Sequence, residues 1–175
     1  MTEQKITKYF RLLLIILTLV LVGYLIWQNF SPIGSQVIIY GLQKNKFISP
    51  INPSTRIKPL ACVNNECTQE MFNDPVYFDL LLARKFDSLK IKIYYKATED
   101  IDIRIGMQTK EGWNYMIKNS DRISQDSGWD TAEYSFPLSV ALVKQRHVNF
   151  LISAPGLKAH NSSIIIKQLT FDLSR

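Results

Sequence analysis

Two histidines, two cysteines and fifteen scattered carboxylates are the raw material for chemistry in this 175-residue chain. His147 and His160 are the only side chains whose ordinary pKa suits proton transfer near pH 7, and neither lies in a recognisable nucleophile or metal-ligand motif. His147 opens an apolar stretch and His160 falls in a polar one, so both read as solvated. The carboxylates show no spacing that would set two of them across a cleft, as glycoside hydrolysis requires. The chain therefore reads as non-enzymatic, with no catalytic residue, no metal set and no cofactor.

The cysteines are more informative. Cys62 and Cys67 bracket Val63-Asn64-Asn65-Glu66 in what reads as a polar loop, and an even count at close spacing reads as a local disulfide in a domain outside the cytoplasm. Two free thiols, or half of a metal site, are the alternatives. A bridge over so short a loop stabilises at the low end, about 2 kcal/mol on the chain-entropy model.

Aromatic residues next to planar polar ones make a different kind of site. Pyranose C–H faces pack on rings, while sugar hydroxyls need directed amide, carboxylate or guanidinium partners. Trp113, Asn114 and Tyr115 form the best such cluster, with Tyr94, Arg104 and Gln108 as candidate neighbours on one sheet. The competing account is that Trp113 and Tyr115 only cover core at a sheet edge. Trp129, just ahead of a strand, reads as structural.

These residues must be positioned by strands. Leu89, Ile91, Ile93 and Tyr95 alternate with Lys90, Lys92, Tyr94 and Lys96, and Ile101, Ile103 and Ile105 alternate with Asp102, Arg104 and Gly106. Each run describes a half-buried strand, and the turn Thr98-Glu99-Asp100 predicts a hairpin between them. Further strands are predicted over 76–82, 113–118, 131–138, 147–153 and 163–173. In the last, the apolar parity switches between Ile164/Ile166 and Leu169/Phe171/Leu173, so a bulge is expected near Lys167-Gln168. Residues 138–144 form the one predicted helical turn, and 41–75 are expected to hold edge strands and covering loops. Seven or eight short strands with almost no helix predict an all-β antiparallel β-sandwich or jelly roll.

Ahead of that domain runs an uncharged block with twelve Leu, Ile and Val residues between Leu12 and Ile26. Such a block favours bilayer insertion by about 4 to 7 kcal/mol, and residues 9–30 approach the ~20 needed to cross. Lys5, Lys8 and Arg11 precede it and no Lys or Arg follows until Lys44, which predicts a cytoplasmic N-terminus. The expected plan is a cytoplasmic segment 1–8, a transmembrane helix 9–30, a tether 31–36 and an extracytoplasmic β-sandwich 37–175. Retention of the helix is expected over cleavage, because no Ala-x-Ala site follows it. The net charge of +6 is spread among alternating apolar residues rather than gathered in a stripe, so no nucleic-acid partner is expected.

Phe47-Ile48-Ser49-Pro50 with Arg56, Pro75-Val76-Tyr77-Phe78-Asp79 and Phe86-Asp87-Ser88-Leu89-Lys90 resemble the opening half of galactose-binding-like jelly rolls, the architecture of many carbohydrate-binding modules. Trp129-Asp130-Thr131, Tyr134-Ser135-Phe136 and 148–157 resemble its closing half. The chain is also similar to uncharacterised membrane-anchored proteins of small-genome uncultivated bacteria. The resemblance implies a fold over about residues 37–175 that hosts sugar binding, adhesion and structural roles. It also implies a structural calcium in some members. Asp121, Asp126 and Asp130 could donate to one, but without decisive spacing. The first expectation is a membrane-anchored envelope protein whose domain mediates protein interaction or surface assembly. The alternative is a membrane-tethered carbohydrate-binding module, so the expected partners are the bilayer, an envelope protein or a glycan.

Overall fold

The computed structural model describes residues 3–30, 34–64, 66–98, 101–111 and 114–175, with the side chains of the first helix described over 11–25. It divides into two units, Met1–Ile33 and Gly34–Arg175. The first is built on helix α1, Glu3–Phe30. Its described side chains are exposed and mostly Leu, Ile and Val, and the Thr18 hydroxyl is satisfied within the helix by donating to the Leu14 carbonyl at 2.8 Å. Among the described residues no helix is long and apolar enough to cross a membrane. The described side chains fall short of the ~20 residues a crossing takes, and the span expected over 9–30 runs past them at both ends.

The second unit is built of strands: β1 Gln36–Tyr40, β2 Ala61–Val63, β3 Glu66–Met71, β4 Val76–Leu81, β5 Ser88–Ala97, β6 Arg104–Gln108, β7 Tyr115–Lys118, β8 Arg122–Asp126, β9 Trp129–Pro137, β10 Val143–Lys144, β11 His147–Ser153 and β12 Ile164–Ser174. A one-turn helix, α2 (Leu157–His160), precedes β12. The strands form two antiparallel sheets. One runs β2-β3-β12-β5-β9-β8, with β1 also paired to β12; the other runs β10-β11-β6-β7, with β4 paired to β11. The expected β-sandwich is what forms.

Period-two patterning sets the core. Leu89, Ile91 and Ile93 of β5 face inward beside Leu169, Phe171 and Leu173 of β12, and Phe78, Met107 and Phe150 face them from the other sheet, all buried. Each such side chain stabilises the fold by about 1.5–3 kcal/mol through area removed from water. Phe78 packs on Phe150 within its own sheet at 5.4 Å and edge-on against Phe171 of the opposite sheet at 5.7 Å. The Tyr134 hydroxyl, buried on β9, donates to the Ile103 carbonyl just before β6 at 2.6 Å and so links the two sheets. The bulge in β12 also forms. Ile166 pairs with Tyr95 and Gln168 with Tyr94, leaving Lys167 as the extra residue that returns Leu169, Phe171 and Leu173 to the buried face.

Three expectations are corrected. β5 and the strand after it do not form a hairpin: β5 lies between β12 and β9, whereas β6 lies between β11 and β7 in the other sheet. Alternation tells which side of a strand is buried, not which strand lies beside it; Glu99 and Asp100 of the expected turn lie outside the described residues. The cysteines form the expected disulfide but lie on strands rather than in a loop. They sit directly opposite each other on β2 and β3, joined by a disulfide with their Cα atoms 4.0 Å apart. The predicted helical turn over 138–144 is a 3-10 turn, Leu138–Val140, that gives way to β10. The short strands β2, β3, β8 and β10 bring the described total to twelve.

Candidate functional site

Where β4, β6, β7 and β11 bury one parity, they turn the other outward. On β4, burial of Val76, Phe78 and Leu80 leaves Tyr77 and Asp79 on the outer face. On β11, burial of Val148, Phe150 and Ile152 leaves His147 and Asn149 there. Register then brings these outer residues together, because Asp79 pairs with Asn149 across β4 and β11 while Gln108 pairs with Tyr115 across β6 and β7. The result is an open groove of about 600 Å³ lined by Tyr77, Asp79, Gln108, Tyr115, His147 and Asn149.

A short polar relay orders the groove. The Tyr115 hydroxyl donates to Asn149 Oδ1 at 2.5 Å, and Asn149 Nδ2 donates to Asp79 Oδ1 at 2.8 Å. The backbone N–H of Asp79 donates to Ser49 Oγ at 2.7 Å, tying this strand to the segment before it. Burial, and then the neighbouring Tyr77 and Asp79, hold the Tyr115 phenol above its ordinary pKa, so at neutral pH it is a donor. The Tyr77 and Tyr115 rings lie 6.2 Å apart at 50°.

The sheet beside the groove is closely packed around a glycine. A Cβ on Gly106 would sit 2.9 Å from Leu151 Cγ and 3.2 Å from Ile117 Cγ1. The space over that position is already filled by two apolar side chains from β11 and β7. Two rings, an amide and a carboxylate are the chemistry that packs on a sugar face while bonding its hydroxyls.

The expected sugar-site residues divide. Tyr115 and Gln108 line the groove. Asn114 is exposed at the start of β7, its main-chain carbonyl accepting from the Thr109 N–H at 2.9 Å. Trp113 lies outside the described residues. Arg104 shares the sheet but sits four residues along β6 from Gln108, about 13 Å at the usual strand rise, where it pairs with Asp102 at 2.9 Å. Tyr94 is corrected outright: it lies on β5, in the opposite sheet, with Lys92 Nζ 5.1 Å from its ring. Tyr77, Asp79 and Asn149 were missed, although the parity of their strands marks them as outward-facing.

The outer face of the seven-stranded sheet also carries an aromatic. Trp129 is half-buried, with Lys96 and Lys167 at 4.7 Å and 5.4 Å from its ring. Lysines cover it, which suits the structural reading of Trp129. Among the described residues no group of three His, Cys, Asp or Glu could hold a metal ion.

The strands thus form a two-sheet antiparallel β-sandwich with an open, tyrosine-bearing groove on one sheet. No protein-family model matches the chain, and no curated protein matches it in sequence. Among solved structures, it is similar to a xylan-binding module, CBM15, with a TM-score of 0.50 and 20% identity over 81% of this chain and 99% of that one. A CBM22-1 xylan-binding domain from Paenibacillus barcinonensis Xyn10C aligns with a TM-score of 0.49 and 9% identity, over 80% of this chain and 94% of that one. The likeness to the first establishes the fold as a jelly roll of the carbohydrate-binding-module kind.

Proposed function

We propose that this chain is a non-catalytic carbohydrate-binding module that holds a glycan along the outer face of its five-stranded sheet. The observation that carries this reading is the Tyr77–Tyr115 ring pair beside the linked Asn149 and Asp79 in an open groove. After its internal bonds Asn149 retains one N–H, and Asp79 retains a carboxylate oxygen, both suited to sugar hydroxyls. The fold's likeness to a xylan-binding module supports the reading. It favours glycan binding over the broader expectation of a protein-assembly domain, for which no specific surface argues.

In this proposal the N-terminal segment anchors the domain at the cell membrane, with residues 9–30 in the bilayer and the N-terminus in the cytoplasm. The uncharged run over 12–26 within α1, with Lys5, Lys8 and Arg11 before that run, supports that placement. Carbonate extraction with protease protection tests it: release of the chain into the soluble fraction rejects the anchor.

The binding reading is tested with the chain in mild detergent on a polysaccharide array, beside Tyr77→Ala and Tyr115→Ala. Binding to at least one polysaccharide that both substitutions weaken about tenfold or more is expected for residues at the centre of a contact. No binding across the array, or binding indifferent to both substitutions, rejects it.

A further inference from the structure

We infer that the glycan held by this face is acidic, carrying carboxylates along its length; this rests on the glycan-binding reading above and names its substrate class. Three cavities run together around the five-stranded sheet. The groove over Tyr77 and Tyr115 shares Asp79 and His147 with a second cavity of about 580 Å³. It shares Leu142 with a third, of about 780 Å³. The three cavities adjoin at these shared lining residues.

Basic side chains line that path. Lys44 and Lys46 line the second cavity, Lys46 Nζ standing 4.8 Å from the Phe47 ring. Lys144 joins the central groove. Arg84, Lys85, Lys110 and Arg146 line the third, over an apolar floor that includes Phe86 and Leu138. The acids lining the three cavities are Asp79 and Asp87.

That excess is a local property, not the overall charge seen again. The unit from Gly34 onward carries about +4 in total, and seven Lys and Arg against two Asp along the groove exceed all of it. Elsewhere three lysines are ion-paired: Lys58 with Glu70 at 2.8 Å, Lys167 with Glu66 at 2.9 Å and Lys92 with Glu133 at 3.8 Å. Lys44, Arg84, Lys85 and Lys144 make no ion pair with a described residue.

The floor distinguishes a sugar acid from a nucleic acid. Asp79, in the central groove, accepts from hydroxyls, which a pyranose offers at several positions per unit. Tyrosine rings and amides serve the pyranose, and the rim cations meet carboxylates that project from it.

The test presents the chain in mild detergent with polygalacturonate, alginate and hyaluronan, each beside its carboxyl-reduced counterpart, in affinity gel electrophoresis at low and high salt. At least one acidic polymer is expected to bind about tenfold more tightly than its reduced form, the scale of a few exposed charge contacts. Salt is expected to shrink that margin, since exposed pairs are screened. Lys46→Gln combined with Lys85→Gln is expected to weaken binding of the acidic polymer several-fold more than that of the reduced one. If every reduced form binds as well as its acid, or polyphosphate binds as tightly as the acidic glycan, the inference is overturned while glycan binding stands. If no polymer binds, acidic or neutral, both readings fall.

Discussion

The Tyr115 phenol on β7 reaches Asn149 on β11 at 2.5 Å, although β6 lies between those strands. Neighbouring strands stand about 4.8 Å apart, so the tyrosine must lie across the sheet to span two intervals. The bond therefore sets the angle of the ring as well as satisfying a hydroxyl.

Removing only that bond separates ring orientation from ring presence. Tyr115→Phe should weaken glycan binding by about 0.5–1.5 kcal/mol, the net worth of one hydrogen bond, and Tyr115→Ala should weaken it further. Isothermal titration of both variants against the best array polysaccharide measures the difference. Equal affinities for the Phe variant and the parent would mean that the relay to Asn149 does not orient the site.

The same phenol gives a pH signature. Its folded pKa is raised by burial first and by Tyr77 and Asp79 next, so the contribution of the neutral donor is complete below the ordinary tyrosine value. It is lost as pH rises through the raised one. In an alkaline absorbance titration, Tyr115→Phe should remove a late-titrating component. Loss of an early component would contradict the environment described.

Gly106 is a packing limit in the sheet beside the groove. Because an added Cβ would come within 2.9 Å of Leu151 Cγ, Gly106→Ala should destabilise the fold by about 1–3 kcal/mol through overpacking. Chemical denaturation measures it. An unchanged midpoint would show that Leu151 and Ile117 can move aside.

Tyr134→Phe strips the donor from the buried Ile103 carbonyl, to which Tyr134 bonds at 2.6 Å. The unsatisfied acceptor should cost about 1–3 kcal/mol, again read from a denaturation midpoint. Because Tyr134 is on the sheet opposite the groove, saturating glycan affinity in the folded variant should be unchanged.

The sequence by itself determined the sandwich and the inward face of most of its strands, because burial on one side imposes a period of two on each segment separately. The β12 bulge was legible for the same reason: Lys167-Gln168 marks where the parity of Ile164 and Ile166 gives way to that of Leu169 and Phe171. The proximity of Cys62 and Cys67 followed from their spacing, while their cross-strand placement did not. Tertiary structure alone decided which outward residues meet. Tyr94 and Tyr115 look equivalent along the chain but belong to different sheets, and Tyr77, Asp79 and Asn149 become a site only when β4 pairs with β11 in the observed register. Pairing is long-range, set by how two whole faces fit together, and local alternation records nothing of it.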